Sequence, residues 1–65
     1  MDSRDRLLIY QVTNELLLAR VFVTAAQESL ASGVCSEGKV ALETAAKHQE
    51  NAIRLLPRLD ARVAG

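Results

Sequence analysis

Apolar residues recur at alternating intervals of three and four along the first half of the chain. Between about residues 4 and 32 this spacing is followed by Ile9, Val12, Leu16, Ala19, Val23, Ala26 and Leu30. Residues three and four apart lie on the same side of an α-helix, so the spacing predicts one long helix with these residues along its seam, the line of contact with a neighbouring helix.

The same spacing returns after a short interruption. From about residue 37 to residue 63, the predicted seam of a second helix consists of Leu42, Ala45, Gln49, Ala52, Leu56, Leu59 and Val63. Pro57 removes one backbone hydrogen bond, so we expect a kink or a fraying end near it. Gln49 is either a register-setting group hydrogen-bonded across the seam or a flexible edge residue, and we favour the first interpretation.

Residues 33–36 separate the two periodic segments. Gly33 suits the left-handed position that follows a helix, Val34 suits the apolar contact that accompanies it, and Ser36 suits the cap of the next helix. So short a turn makes the two helices antiparallel neighbours. The sequence therefore predicts an all-α protein, a single two-helix antiparallel hairpin of coiled-coil type that spans residues 1–65.

The length of the chain limits how stable this hairpin is by itself. A chain of 65 residues buries little surface and usually needs a disulfide, a metal or a partner. Cys35 is the single cysteine and His48 the single histidine, so neither an internal disulfide nor an ordinary zinc site is expected. We therefore expect a partner chain or self-association to complete the fold.

A second apolar stripe on the first helix, away from the seam, indicates where a partner binds. One antiparallel neighbour cannot cover both stripes, and full burial of a Leu, Val or Phe side chain is worth roughly 1.5–3 kcal/mol. The candidate partner-binding residues are Leu7, Tyr10, Leu17, Leu18 and Val21 of this stripe, together with Phe22, which with Leu8 widens the seam. The spacing leaves two occupants open, a second copy in a homodimeric four-helix bundle or a different protein.

Charge and hydropathy argue against nucleic acid and membrane as partners. Eight basic and eight acidic residues balance, so the chain has no net field that attracts either. The row of Arg54, Arg58 and Arg62 has no aromatic residues beside it and is interpreted as a solvated face. Polar residues between positions 11 and 20 interrupt the first apolar stretch, so we expect no membrane span, no secretory signal and a cytoplasmic location.

Two helices offer too little concavity for an active site, so we expect no enzymatic activity, no catalytic residues and no cofactor. Cys35 has no histidine placed to activate it as a nucleophile. His48 is interpreted as a residue at the boundary of the apolar face rather than as a metal ligand, so no metal is expected.

The turn and the second helix resemble the E-component co-chaperones of bacterial type III secretion, the YscE/PscE family. The resemblance covers about half of the chain and rests on residues 30–37, Leu-Ala-Ser-Gly-Val-Cys-Ser-Glu, followed by Leu42, Ala46, Glu50, Leu56 and Leu59. Pro57 departs from the family's pattern. The family's members are helical hairpins of similar length.

The resemblance implies a cytoplasmic protein without catalytic residues that binds a tetratricopeptide-like chaperone, the G component. Through this chaperone it would help to keep the needle subunit soluble and monomeric before export. The competing hypothesis is a homodimeric four-helix bundle that acts as an RNA-binding or regulatory protein.

Overall fold

Two α-helices make up the structure. The computed structural model describes the backbone of residues 3–64 and the side chains of residues 3–59. Helix α1 comprises Ser3–Ala31 and helix α2 comprises Cys35–Ala64. They pack side by side in opposite directions, as a rod with extents of 49 × 15 × 11 Å. The predicted all-α two-helix hairpin is confirmed.

The turn between the helices is closed by backbone hydrogen bonds around Gly33. The Val34 amide donates to the carbonyl of Ser29 at 2.8 Å, and the Gly33 amide donates to the carbonyl of Leu30 at 3.1 Å. This pair of bonds forms a Schellman motif, in which the residue after the helix has a left-handed backbone, and Gly33 has φ of 83°. The predicted role of Gly33 is confirmed. Helix α2 begins at Cys35, so Ser36 lies inside its first turn instead of capping it.

The line of contact between the helices matches the expected seam in one of its two rows. The buried residues of the matching row are Val12, Ala26, Ala45 and Ala52. The other row lies one residue earlier on each helix than expected. It holds Leu8, Glu15, Phe22 and Ser29 instead of Ile9, Leu16, Val23 and Leu30, and Ala41, His48 and Leu55 instead of Leu42, Gln49 and Leu56. The expected second row is therefore wrong except at Ile9, which is half-buried like Glu15 and Phe22. Leu8 and Phe22, which the sequence places at the widened edge of the seam, lie within it.

Small residues in the seam explain this shift. Ala26 is 0% exposed, and Gly38 of α2 is also buried. A Cβ atom on Gly38 would lie 2.8 Å from Cγ of Leu30, which shows how closely the helices approach near the turn. Because so little space remains between the backbones, large side chains such as Leu30 lie beside the seam and stay about half exposed.

Helix α2 continues through Pro57 to Ala64 as a single element, so it does not end at the proline. Pro57 is exposed, while Leu55 and Leu59 on the other side of the helix are half-buried at the seam. The partial burial of these two leucines contributes stability that opposes the loss of one backbone hydrogen bond at the proline. The side chains of Arg62 and Val63 lie outside the described residues.

Candidate interaction surfaces

A polar cluster connects the two helices near their middle. His48 Nδ1 on α2 lies 2.7 Å from Glu15 Oε2 on α1, and Asn51 Nδ2 donates to the same oxygen at 3.4 Å. The side chains of Glu15 and His48 are each about one-quarter exposed. The rings of Phe22 and His48 are stacked, with centroids 5.6 Å apart and an interplanar angle of 12°. The polar cluster (Glu15, His48 and Asn51) thus fixes which residues of the two helices lie opposite each other.

Of the two interpretations of Gln49, the favoured one, a register-setting group within the hairpin, is wrong. Gln49 is exposed, as expected for an edge residue, and its neighbour His48 occupies the seam. The signal lay in the spacing, since Glu15 follows Val12 by three residues and His48 follows Ala45 by three. Two polar residues at equivalent seam positions and matching heights in antiparallel helices indicate a pair across the seam.

The hydrogen bond from His48 holds the pKa of the Glu15 carboxyl below its ordinary value. Burial opposes this effect by raising the pKa, and the hydrogen bond from Asn51 lowers it further. A carboxyl group whose pKa is lower in the folded than in the unfolded chain stabilises the fold above its unfolded pKa. This contribution is lost as the pH falls through the folded pKa.

We therefore expect the thermal midpoint of the hairpin to fall as the pH is lowered from about 6 to about 3, through the range in which glutamate titrates. Glu15→Gln should reduce this dependence, because the amide does not titrate. The measurement is a circular dichroism melt at each pH. Glu43→Gln is the matched control, since Glu43 is exposed on α2. Identical pH dependence in the native chain and in Glu15→Gln would contradict the assignment.

Four of the six candidate partner-binding residues form an outer stripe on α1. Leu7, Tyr10, Leu17 and Val21 are 59%, 71%, 60% and 61% exposed. They lie on the side of α1 that faces away from α2. The outer stripe (these four residues) is therefore an apolar surface that the hairpin leaves uncovered.

The other two candidates lie closer to the hairpin interior. Leu18 and Phe22 are half-buried, and Phe22 stacks on His48 of α2. Phe22 therefore supports the hairpin, and its contact with a partner stays a prediction.

A second apolar surface runs along one side of the hairpin. Its exposed apolar members are Leu16, Val23, Leu30, Leu42 and Leu56. Each of them directly follows, in sequence, a residue of the second seam row, the row that holds Glu15 on α1 and His48 on α2. Because the two helices are antiparallel, the positions that follow this row lie on the same side of the hairpin on both helices. We call this surface the lateral face. Sequence reasoning placed these five residues inside the seam, so it missed that they form a surface.

Helix α1 thus has apolar residues on its seam, on its outer stripe and on the lateral face. A polar strip at seven-residue intervals, Arg6, Thr13, Arg20 and Gln27, separates the outer stripe from the lateral face. A helix that is apolar around most of its circumference is usually enclosed by other helices or by a membrane. An 18-residue stretch of α1 has a mean hydropathy of 1.3, enough in length and composition to cross a membrane, and 17% of it is buried.

Other reactive side chains form no further site among residues 3–59. In this part of the chain no three His, Cys, Asp or Glu side chains lie close enough together to hold a metal ion. Cys35 is exposed as a free thiol at the start of α2. Arg54 donates to Glu50 at 3.0 Å on the exposed side of α2.

The described residues thus form a small helical hairpin that leaves the outer stripe and the lateral face uncovered. Comparisons with protein-family models, with curated proteins and with solved structures find no match.

Proposed function

We propose that this chain is a cytoplasmic co-chaperone whose outer stripe packs against a tetratricopeptide-like chaperone of the G-component type. Together they would keep a type III secretion needle subunit soluble and monomeric before export. Two features support the proposal, the residues of the turn and α2 that resemble the E-component family and the apolar surface of α1.

The exposure of the outer stripe is the observation that carries the proposal. Leu7, Tyr10, Leu17 and Val21 follow one another along α1 over about four helical turns. An apolar row of this length matches the helix-in-groove mode of recognition, in which anchors three, four and seven residues apart fill a groove between partner helices. Helical repeats offer such grooves.

The position of Glu15 favours a protein partner over a membrane for α1. Glu15 lies near the middle of α1 and pairs with His48 of α2. A carboxylate near the centre of a bilayer costs roughly 2.5–3.5 kcal/mol or more, and keeping its partner would bring α2 into the membrane with it. Helix α2 is a poor candidate for such a position, because Lys39, Glu43 and Lys47 are exposed along it.

The test is co-purification of the chain with a co-expressed G-component chaperone. Replacing Leu17 and Val21 together with glutamate should weaken binding at least 100-fold, since two apolar anchors become charges that the groove would have to desolvate. Leu42→Glu is the control, because it places a glutamate on the lateral face instead of the outer stripe and should leave the partner bound. Circular dichroism should show that the isolated variants remain helical.

Two results would contradict the proposal. One is undiminished co-purification of the Leu17 and Val21 double variant. The other is recovery of the native chain with the membrane fraction of cells that express it alone, since this would assign the apolar surface of α1 to lipid.

A further inference from the structure

We infer that the lateral face binds the lateral face of a second copy of this chain. The two hairpins would be related by a two-fold axis at the middle of the rod, with α1 lying against α1 of the other copy and α2 against α2. The product is a homodimeric four-helix bundle. The inference is independent of the proposed function, because the polar strip of α1 separates the lateral face from the outer stripe.

The position of Gln49 argues for a second copy. Seven residues of the lateral face each directly follow a residue of the second seam row in sequence: residues 9, 16, 23 and 30 on α1, and residues 42, 49 and 56 on α2. Gln49 is the one polar residue among these seven. It is the fifteenth of the 30 residues of α2, so it lies at the midpoint of that helix. A two-fold axis at the midpoint therefore brings Gln49 of one copy against Gln49 of the other.

Two glutamine amides satisfy each other when they meet at such an axis. Each side chain has a carbonyl that accepts and an NH₂ group that donates, so a symmetric pair can exchange two hydrogen bonds. Covering the face with an entirely apolar surface would instead leave the amide unsatisfied, which is costly. One central polar residue in an apolar interface is also a known means of specifying register and oligomeric state.

The apolar area of the lateral face is sufficient for a dimer of moderate affinity. The five exposed members are between 39% and 47% exposed, and Ile53 beside them is 56% exposed. These side chains offer on the order of 500 Å² per copy, so two copies bury on the order of 1,000 Å², near the lower limit for a specific interface. We therefore expect a dissociation constant of about 1–10 μM.

The test is a charge-swap experiment at position 49, followed by sedimentation velocity from about 1 to about 300 μM, a range that brackets the expected dissociation constant. The native chain should sediment as a dimer at the upper end. Gln49→Glu and Gln49→Lys should each weaken dimerisation about 100-fold, because identical charges meet at the axis. An equimolar mixture of the two variants should restore a dimer that contains one chain of each.

Glu43→Gln is the matched control, since it also changes the charge of α2 by one unit at an exposed position, on the side of α2 that faces away from α1. It should dimerise like the native chain. Glutamate and lysine are both good helix formers, so circular dichroism should show unchanged helix content in the position-49 variants. A monomeric native chain at every concentration would overturn the inference. A dimer that neither variant weakens, or a mixture that restores nothing, would also overturn it.

Discussion

Replacing Ala26 with leucine is expected to lower the free energy of unfolding by about 3 kcal/mol, at the upper end of the range for overpacking a tight contact. Ala26 is 0% exposed in the seam, and its carbonyl oxygen lies 3.5 Å from the position of a Cβ on Gly38. Three added carbons have no space there, so the helices must separate. A hairpin of this size has only a few kcal/mol of net stability, so much of the variant should be unfolded.

Thermal melts followed by circular dichroism would measure this effect, at one fixed protein concentration because self-association would shift the midpoint. Ala25→Leu is the matched control, since Ala25 is exposed beside Ala26 and the substitution is the same. We expect the control to melt within a few degrees of the native chain. Equal midpoints for the two variants would show that the helices do not approach closely at Ala26.

Replacing Phe22 with alanine is expected to lower the free energy of unfolding by about 2 kcal/mol, less than the 3–5 kcal/mol typical of a fully buried phenylalanine because Phe22 is half-buried. The substitution removes the ring that stacks on His48 and lies beside the polar cluster. Urea unfolding of the isolated chain would measure the change. Leu17→Ala is the control and should change stability by about 0.5 kcal/mol or less, since Leu17 is 60% exposed.

The comparison of Phe22 with Leu17 also separates hairpin packing from partner binding, the two roles that the sequence predicts for Phe22. If Phe22 served only to bind a partner, its replacement would leave the stability of the isolated chain unchanged, as we expect for Leu17. A stability loss at Phe22 alone would place the boundary between the hairpin and the partner-binding surface between these two residues.

Local physics made several features predictable. The spacing of apolar residues by three and four predicts two helices in any context, because it follows from the helical repeat itself. Gly33 predicts the end of α1, since the left-handed backbone with φ of 83° is accessible to glycine without strain. The exposure of Leu7, Tyr10, Leu17 and Val21 was also predictable, because these residues lie away from any seam that periodicity allows.

The second row of the seam could not be predicted in this way. Periodicity allows two candidate rows on α1, one that begins at Leu8 and one that begins at Ile9. The row that begins at Ile9 contains more bulky apolar side chains, so periodicity favours it. In the structure, the row that contains Glu15 and Phe22 lies in the seam. The small residues of the other seam row, such as Ala26, bring the two backbones close together. Close approach leaves bulky side chains such as Leu16 at the side of the pair.

The sequence by itself thus determined that the chain forms two helices joined by a tight turn at Gly33, with an apolar stripe on α1 that α2 does not cover. Only the tertiary structure decided which residues meet in the seam, that Glu15 pairs with His48, and that Gln49 lies at the middle of an exposed lateral face. The physical reason is that helix formation and turn geometry depend on neighbours in sequence. Which of two adjacent residues on one helix faces the other helix depends instead on how closely the two backbones approach.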